Sequence, residues 1–477
     1  MTTLIKSWYA FITLAKAMCG VGIFALPVAF QQAGIWVGTA LTIALGFANA
    51  HCMIKLVKCS QYLSRLKEST IASSVEDSHG KTIEADQKRH NTSDSSKSAS
   101  ESDKFQPCES SDDTIDTKPK LPERTIVLDY GHMAEEAFAV HDSWLRYLAK
   151  PASIIVNLCL VLLQLGICSV FYIFVADHTK QVIDHFFSMD LDQNTVLVSI
   201  LPFFIALSSV KSLIVMSWIA FLGNILVLGA ILIIDVQLCI APHIPLSDLA
   251  GVTTIQKAAV VAGSITYAYT CPALVLPLEN KMRNPQRMMG IFGVISTSVA
   301  SVGLLYVVTG FLGYFTYGDN IQGSITLNLT NNPLDFSVKT LLLLMTFCGY
   351  IIQHYPIIEM IWPTMERLLS GAHCCLTNSV NYTLRYTIVI LSFALAYSIP
   401  KLEQIIPIIG VTTGMLLSFV IPATLETVVF WSEWRKHSIL LFVFNVALNT
   451  FYIILGILFL VTGVYSNVQP LVNSGAL

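Results

Sequence analysis

The chain has 477 residues, 54% of them hydrophobic and only 12% charged, and its mean hydropathy is +0.64. Soluble domains carry roughly a quarter charged residues, so a water-soluble globule is excluded and an all-α polytopic membrane protein is expected. The formal net charge of -3 gives neither a basic surplus for nucleic acid nor a strongly acidic face for a basic partner.

A membrane-crossing helix needs about 20 mostly apolar residues, and about eleven such stretches occur in the chain. They cover residues 7–30, 34–58, 148–177, 195–210, 212–238, 256–279, 288–316, 337–363, 384–400, 403–430 and 438–464, the fourth and ninth being short. The first is not a cleavable signal, because Lys16 interrupts it and Pro27 leads on toward another apolar run. Residues 1–65 therefore hold helices 1 and 2. Residues 66–124 are rich in Ser, Thr, Asp, Glu and Lys with almost nothing to bury, so they are read as a disordered cytoplasmic loop. Such a loop is either a tolerated insertion or a platform for phosphorylation and cytoplasmic partners. An amphipathic lead-in and helices 3 to 11 fill 125–464, and 465–477 is a short extracytoplasmic tail.

Lys and Arg collect on the cytoplasmic side of membrane helices. With the N-terminus inside, inner segments hold Lys6, Lys55, Lys58, Arg65, Lys67, Arg146, Lys150, Lys211, Lys281, Arg283, Arg287, Arg367, Arg385, Arg435 and Lys436. Outer loops then keep only Lys180, Lys257, Lys339 and Lys401. That asymmetry requires an odd number of helices and an outside C-terminus. It also leaves the Asn91 and Asn381 sequons inside and puts Asn328, in Asn-Leu-Thr, outside as the N-glycosylation candidate.

Gly and Pro inside a span are costly unless the freed backbone groups face a protein cavity. The first span contains Gly20, Gly22 and Pro27, and the sixth contains Pro272 and Pro277. The two interruptions are five helices apart and so enter the membrane from opposite sides, the signature of an inverted five-plus-five repeat with broken helices 1 and 6 and an eleventh helix appended. In that arrangement free N–H groups of Gly20, Val21 and Gly22 hold a substrate carboxylate, with Thr266, Tyr267, Tyr269 and Thr270 on the opposite wall.

Ionisable residues within spans mark ion pathways, and here they are Lys16, His51, Asp235, Glu279, His354, Glu359 and Glu426. Asp235, Glu279 and Glu426 lie near predicted helix ends, within reach of water. Lys16, His354 and Glu359 lie deeper and are the candidates for handling a proton. Gly20 to Ala25 fits a dinucleotide-turn pattern, but no strand precedes it. Gly34 with Gly38, and Gly410 with Gly414, have the spacing of close helix packing. Cys19, Cys52, Cys159, Cys168, Cys239, Cys271 and Cys348 lie in or beside apolar runs and read as small hydrophobes. Cys374 and Cys375 are placed in a loop, free or palmitoylated. No cysteine or histidine spacing suits a metal, and no nucleophile-base, HExxH or P-loop pattern suggests an enzyme.

Residues 16–30, KAMCGVGIFALPVAF, resemble the first-helix motif K-G-N-I-G-T-G-L-L-x-L-P of proton-coupled amino acid transporters. Residues 275–285, VLPLENKMRNP, are similar to that family's V-L-P-L-E-N-x-M-x-x-P. Residues 313–328, GYFTYGDNIQGSITLN, resemble its G-Y-x-x-Y-G-D-x-I-x-G-S-I-T-L-N, and residues 353–363 resemble its eighth helix. The resemblance implies the amino acid/auxin permease group: an eleven-helix, broken-helix (LeuT-like) secondary transporter of small neutral amino acids. It implies no cofactor, a proton gradient as driving force, and residence in the plasma membrane or an endosomal or lysosomal membrane. Three positions depart from the family: Thr13 replaces a histidine, Met18 an asparagine and Thr270 a glutamate. The alternatives are a non-transporting amino acid sensor and a relative with different ion coupling.

Overall fold

The computed structural model describes residues 5–90, 127–141, 144–189, 191–329, 332–371 and 373–473. Apolar stretches in lipid must close their own backbone hydrogen bonds, and the described residues do so almost entirely as helices. These are α1 (Ser7–Met18), α2 (Gly22–Ala33), α3 (Ile35–His90), α4 (Tyr130–Ala139), α5 (Ala149–Phe187), α6 (Gln193–Ser208), α7 (Leu213–Ile240), α8 (Ile255–Tyr269) and α9 (Pro272–Lys281). They continue as α10 (Val294–Tyr317), α11 (Pro333–Leu368), α12 (Cys374–Ser398), α13 (Leu402–Ile409), α14 (Ile421–His437) and α15 (Ile439–Asn473).

Among the described residues, nine helices are long and apolar enough to cross a membrane, and the bent pair α1 and α2 makes a tenth. The apolar helix α6 is shorter, at 16 residues. Together these follow the expected chain order. Phe47, Trp218, Leu232, Ile291 and Phe292 stand exposed on helix and loop surfaces, an arrangement costly in water and suited to lipid tails. Inside, aromatic side chains fill the space between helices: Tyr172 of α5 stacks on Phe204 of α6 at 4.4 Å, and Phe204 meets Tyr350 of α11 at 4.5 Å.

Several expected boundaries differ. The loop expected from residue 66 begins as helix, because α3 runs on to His90; extending a formed helix is far easier than starting one, even through polar residues. The rest of that loop, residues 91–124, lies outside the described residues. By its internal contacts the segment 60–128 is a unit of its own. Cys374 and Cys375 open α12 instead of occupying a loop, and both are exposed. Cys239 is exposed as well, whereas Cys19, Cys52, Cys159, Cys168 and Cys271 are buried as expected of small apolar groups.

The tenth apolar stretch is not a uniform helix. Between α13 and α14 the backbone takes wide π turns at Gly410–Gly414 and Leu416–Val420. Gly410 packs so closely on Gly263 of α8 that a Cβ added there would stand 1.8 Å from the Gly263 carbonyl oxygen. The tight packing expected at Gly410 is therefore present. Tyr130 of α4 donates to the Leu417 carbonyl at 3.0 Å, and burial holds its phenol well above the usual range, so it remains a neutral donor.

Candidate functional site

The helix started at Ser7 stops at Met18. Cys19 N–H closes the last turn on Ala15 O at 3.0 Å, and Gly20 N–H folds back to Met18 O at 2.7 Å. A new helix starts at Gly22 with its axis turned by 54°. The break therefore lies at residues 19–21, with Pro27 carried inside α2 instead of ending it. Among the described residues the N–H groups of Val21 and Gly22 make no hydrogen bond, whereas that of Gly20, expected to be free as well, is taken up by Met18 O because the chain folds back on the last turn of α1. A Cβ built on Gly20 would meet nothing within 4 Å, so open space adjoins it.

The sixth stretch breaks at Thr270 and Cys271. Pro272 disfavours helical backbone at the residue before it, and it then serves as the first residue of α9, where its missing N–H is no loss. Thr270 is extended, with φ -72° and ψ 110°, and its hydroxyl donates to Thr266 O. Pro277 again lies inside its helix.

The two breaks come together. A Cβ on Gly22 would lie 3.1 Å from Ala268 Cα and 3.2 Å from Tyr267 Cδ1, tighter than ordinary contact, so glycine suits this approach. Tyr306 of α10 joins the halves directly: its hydroxyl is 2.7 Å from Met18 O and 2.8 Å from Ala268 O, the carbonyls released where α1 and α8 end. Asn49 of α3 donates to Tyr269 O at 3.1 Å, and Tyr269 donates from its hydroxyl to Thr42 O at 3.2 Å. The π turns supply a further wall, since Thr266 Oγ1 donates to Met415 Sδ at 3.6 Å and a Cβ on Gly414 would lie 3.5 Å from Thr270 Oγ1.

A cavity of about 460 Å³ opens where α2 ends and α8 starts. Gln31, Lys257, Asp319, Glu403 and Asn467 line it, so its wall carries both signs of charge.

Of the residues expected to form the site, Gly22, Thr266, Tyr267, Tyr269 and Thr270 meet around the paired breaks, with Gly20 and Val21 at their edge. Lys16 is half-buried on α1, one turn before the break. His354 is fully buried away from them: its Nε2 is 3.0 Å from Arg385 O, its ring stacks on Tyr350, and its Nδ1 has no partner among the described residues. Glu359 was expected at depth but stands exposed on α11, because five residues beyond His354 the helix has turned it to the outer side. Asn328 holds its own loop closed, accepting from Gln322 N–H at 2.8 Å and donating to Asn320 O at 3.0 Å.

Three carboxylates expected to reach water do not. Glu279 is fully buried, Asp235 is 9% exposed and accepts from Thr309, and Glu426 is buried against Lys55. The pairing of Glu426 with Lys55, 371 residues apart, and the bridge from Tyr306 to Met18, 288 residues apart, carry no local sequence signal. Lys55, a charge inside the second apolar stretch, was the available signal.

The family described as transmembrane amino acid transporter protein matches residues 4–76 and 116–469, leaving out only the middle of the polar segment and the extreme ends. The chain belongs to this family. It is 25% identical over 473 residues to the probable amino acid transporter skat-1 of Caenorhabditis elegans, covering 98% of this chain and 90% of that one. It is also 25% identical over 466 residues to the proton-coupled amino acid transporter-like protein pathetic of Drosophila melanogaster, covering 97% and 84%. The transporter is thus a multi-pass membrane protein of an amino acid transporter family, and not an enzyme.

Proposed function

We propose that the protein is a secondary transporter of small neutral amino acids that works by alternating access and takes a proton with its substrate. The observation that carries this reading is the meeting of two broken helices at which Val21 and Gly22 N–H are unbonded, beside open space at Gly20. Those donors stand at the start of α2, where the helix dipole favours negative charge, and suit an amino acid carboxylate. The Thr270 hydroxyl donates to Thr266 O and keeps lone pairs for the substrate ammonium group. Thr266, Tyr267, Tyr269 and Gly414 limit the room left for a side chain, which favours small ones.

With the N-terminus inside, the mixed-charge cavity lined by Lys257, Asp319 and Glu403 is the outer vestibule, and its two signs of charge suit a zwitterion. Tyr306 holds the ends of α1 and α8 in register, so the two halves of each broken helix can tilt about a fixed point. The test is uptake of labelled glycine, alanine and proline by proteoliposomes at pH about 5.5 and about 7.5, a roughly hundredfold change in proton concentration. Flux that is indifferent to pH would remove the proton, and absence of both uptake and exchange would remove transport.

A further inference from the structure

Glu426 of α14 and Lys55 of α3 are 3% and 2% exposed, and Glu426 Oε2 lies 2.5 Å from Lys55 Nζ. Asn449 of α15 completes the group, accepting from Lys55 Nζ at 2.7 Å and donating to Glu426 Oε2 at 3.1 Å. Lys58, about half exposed, reaches Glu426 Oε1 at 3.5 Å. The other titratable groups facing the carboxylate are His51, Cys52 and Cys59 on α3 and Tyr452 on α15. Packed on the same side, α4 presents Tyr130, bonded to Leu417 O, and His141, bonded to Val428 O. The His51 ring is itself 2.9 Å from the Tyr452 hydroxyl.

A buried ion pair adds little to stability, because desolvation offsets its attraction. Within a membrane span such charges are costly, and they are retained where ions or protons move. In chain order Lys55 lies in the second apolar stretch and Glu426 in the tenth, so the pair ties one half of the five-plus-five order to the other. Moving the halves apart strips Glu426 of its cation, and a buried carboxylate without a counter-charge favours its neutral form.

We propose that Glu426 is the carboxylate that carries the coupling proton, with Lys55 as its resident counter-charge and Asn449 as the group that keeps Lys55 hydrogen-bonded when Glu426 is neutral. This rests on the proton-coupled reading above and places the proton on a residue outside the substrate site. The step is proton transfer alone: the carboxylate gains a proton to become a carboxylic acid, Lys55 stays an ammonium, and no bond to carbon changes. Protonation weakens the tie and lets the halves part. Loss of the proton past half-exposed Lys58 re-forms the pair and resets the transporter.

The experiment uses the full chain in proteoliposomes and compares exchange of labelled alanine without a gradient against accumulation driven by an imposed pH difference. Wild-type protein that exchanges alanine but does not accumulate it refutes proton coupling itself, and the assignment of Glu426 with it. Where the wild type does accumulate, Glu426→Gln is expected to keep exchange and lose the gradient-driven accumulation, while Glu426→Asp keeps both. Because Glu426→Gln leaves Lys55 buried without its counter-ion, the double variant Lys55→Met with Glu426→Leu removes both charges at similar volume. It is expected to exchange alanine without responding to pH. Gradient-driven accumulation by either variant overturns the proposal. So does a double variant that fails to fold or to exchange, since the pair would then be a structural tie.

Discussion

Replacing Gly410 by alanine probes the contact on which the substrate site leans. The new methyl group would stand 1.8 Å from the Gly263 carbonyl oxygen, and ordinary contact begins near 3.4 Å, so the backbone of α8 or of the π turns must move. The clash is with main chain on both sides: a Cβ on Gly263 would meet the Pro407 carbonyl oxygen at 2.5 Å, and the Val411 side chain at the same distance. Overpacking a close-fitted interior costs about 1–3 kcal/mol when side chains can give way, and a collision with main chain belongs at the upper end of that range or above it. The displaced backbone carries Thr266 and Thr270 with it. Gly410→Ala is therefore expected to lower the thermal stability of the purified protein and to reduce alanine uptake at least about tenfold, the effect of some 1.4 kcal/mol. Gly263→Ala strains the same separation, so the double variant should lose less than the sum of the two single losses. Thermal denaturation in detergent and initial uptake rates measure both effects. A Gly410→Ala protein with wild-type melting and uptake would refute the close contact and the wall that depends on it.

Tyr306→Phe removes the hydroxyl shared by Met18 O and Ala268 O, so Ala268 O loses this donor and Met18 O keeps only Gly20 N–H. A loss of about 1–3 kcal/mol is expected, read as a lower melting temperature together with weaker substrate binding. Gly20→Ala enters open space and should leave melting unchanged while altering substrate KM, whereas Gly22→Val meets Ala268 and Tyr267 and should lower both melting and uptake. A KM unaffected at Gly20 would move the carboxylate site elsewhere. Asn49→Leu frees the Tyr269 carbonyl at the end of α8 and should weaken binding more than it slows turnover, which uptake over a range of alanine concentrations would separate.

The helix order and the two breaks were legible in sequence because they rest on local physics. A run of about 20 apolar residues can satisfy its backbone in lipid only as a helix, and Gly20 and Pro272 interrupt that helix where they stand. The exact breaks fell at Cys19 to Val21 and at Thr270 with Cys271, while Pro27 and Pro277 were absorbed into helices. What stayed hidden depended on partners distant along the chain. Glu426 looked like a residue near a helix end because hydropathy scores each stretch alone and cannot see Lys55 on the helix packed beside it. Glu359 looked buried for the same reason, its apolar neighbours saying nothing about which side of α11 faces outward. The π turns at Gly410–Gly414 and Leu416–Val420 carry no clear local signal, and the close approach of the first of them to Gly263 is a contact between segments far apart in the chain.

At the start of the described chain, Ile5 N–H pairs with Lys281 O at 2.9 Å and Arg283 N–H pairs with Ile5 O at 2.9 Å, a short parallel bridge joining the chain before α1 to the chain after α9. Main-chain pairing of this kind is indifferent to side-chain chemistry and unforgiving of length. Ile5 can be exchanged for many residues, proline excepted, without losing the clasp. One residue inserted between Lys281 and Arg283 moves apart the carbonyl and the N–H that Ile5 bridges. A reporter fused ahead of Ile5 leaves the clasp free to close, whereas the same reporter placed a few residues later would uncouple the start of α1 from the end of α9.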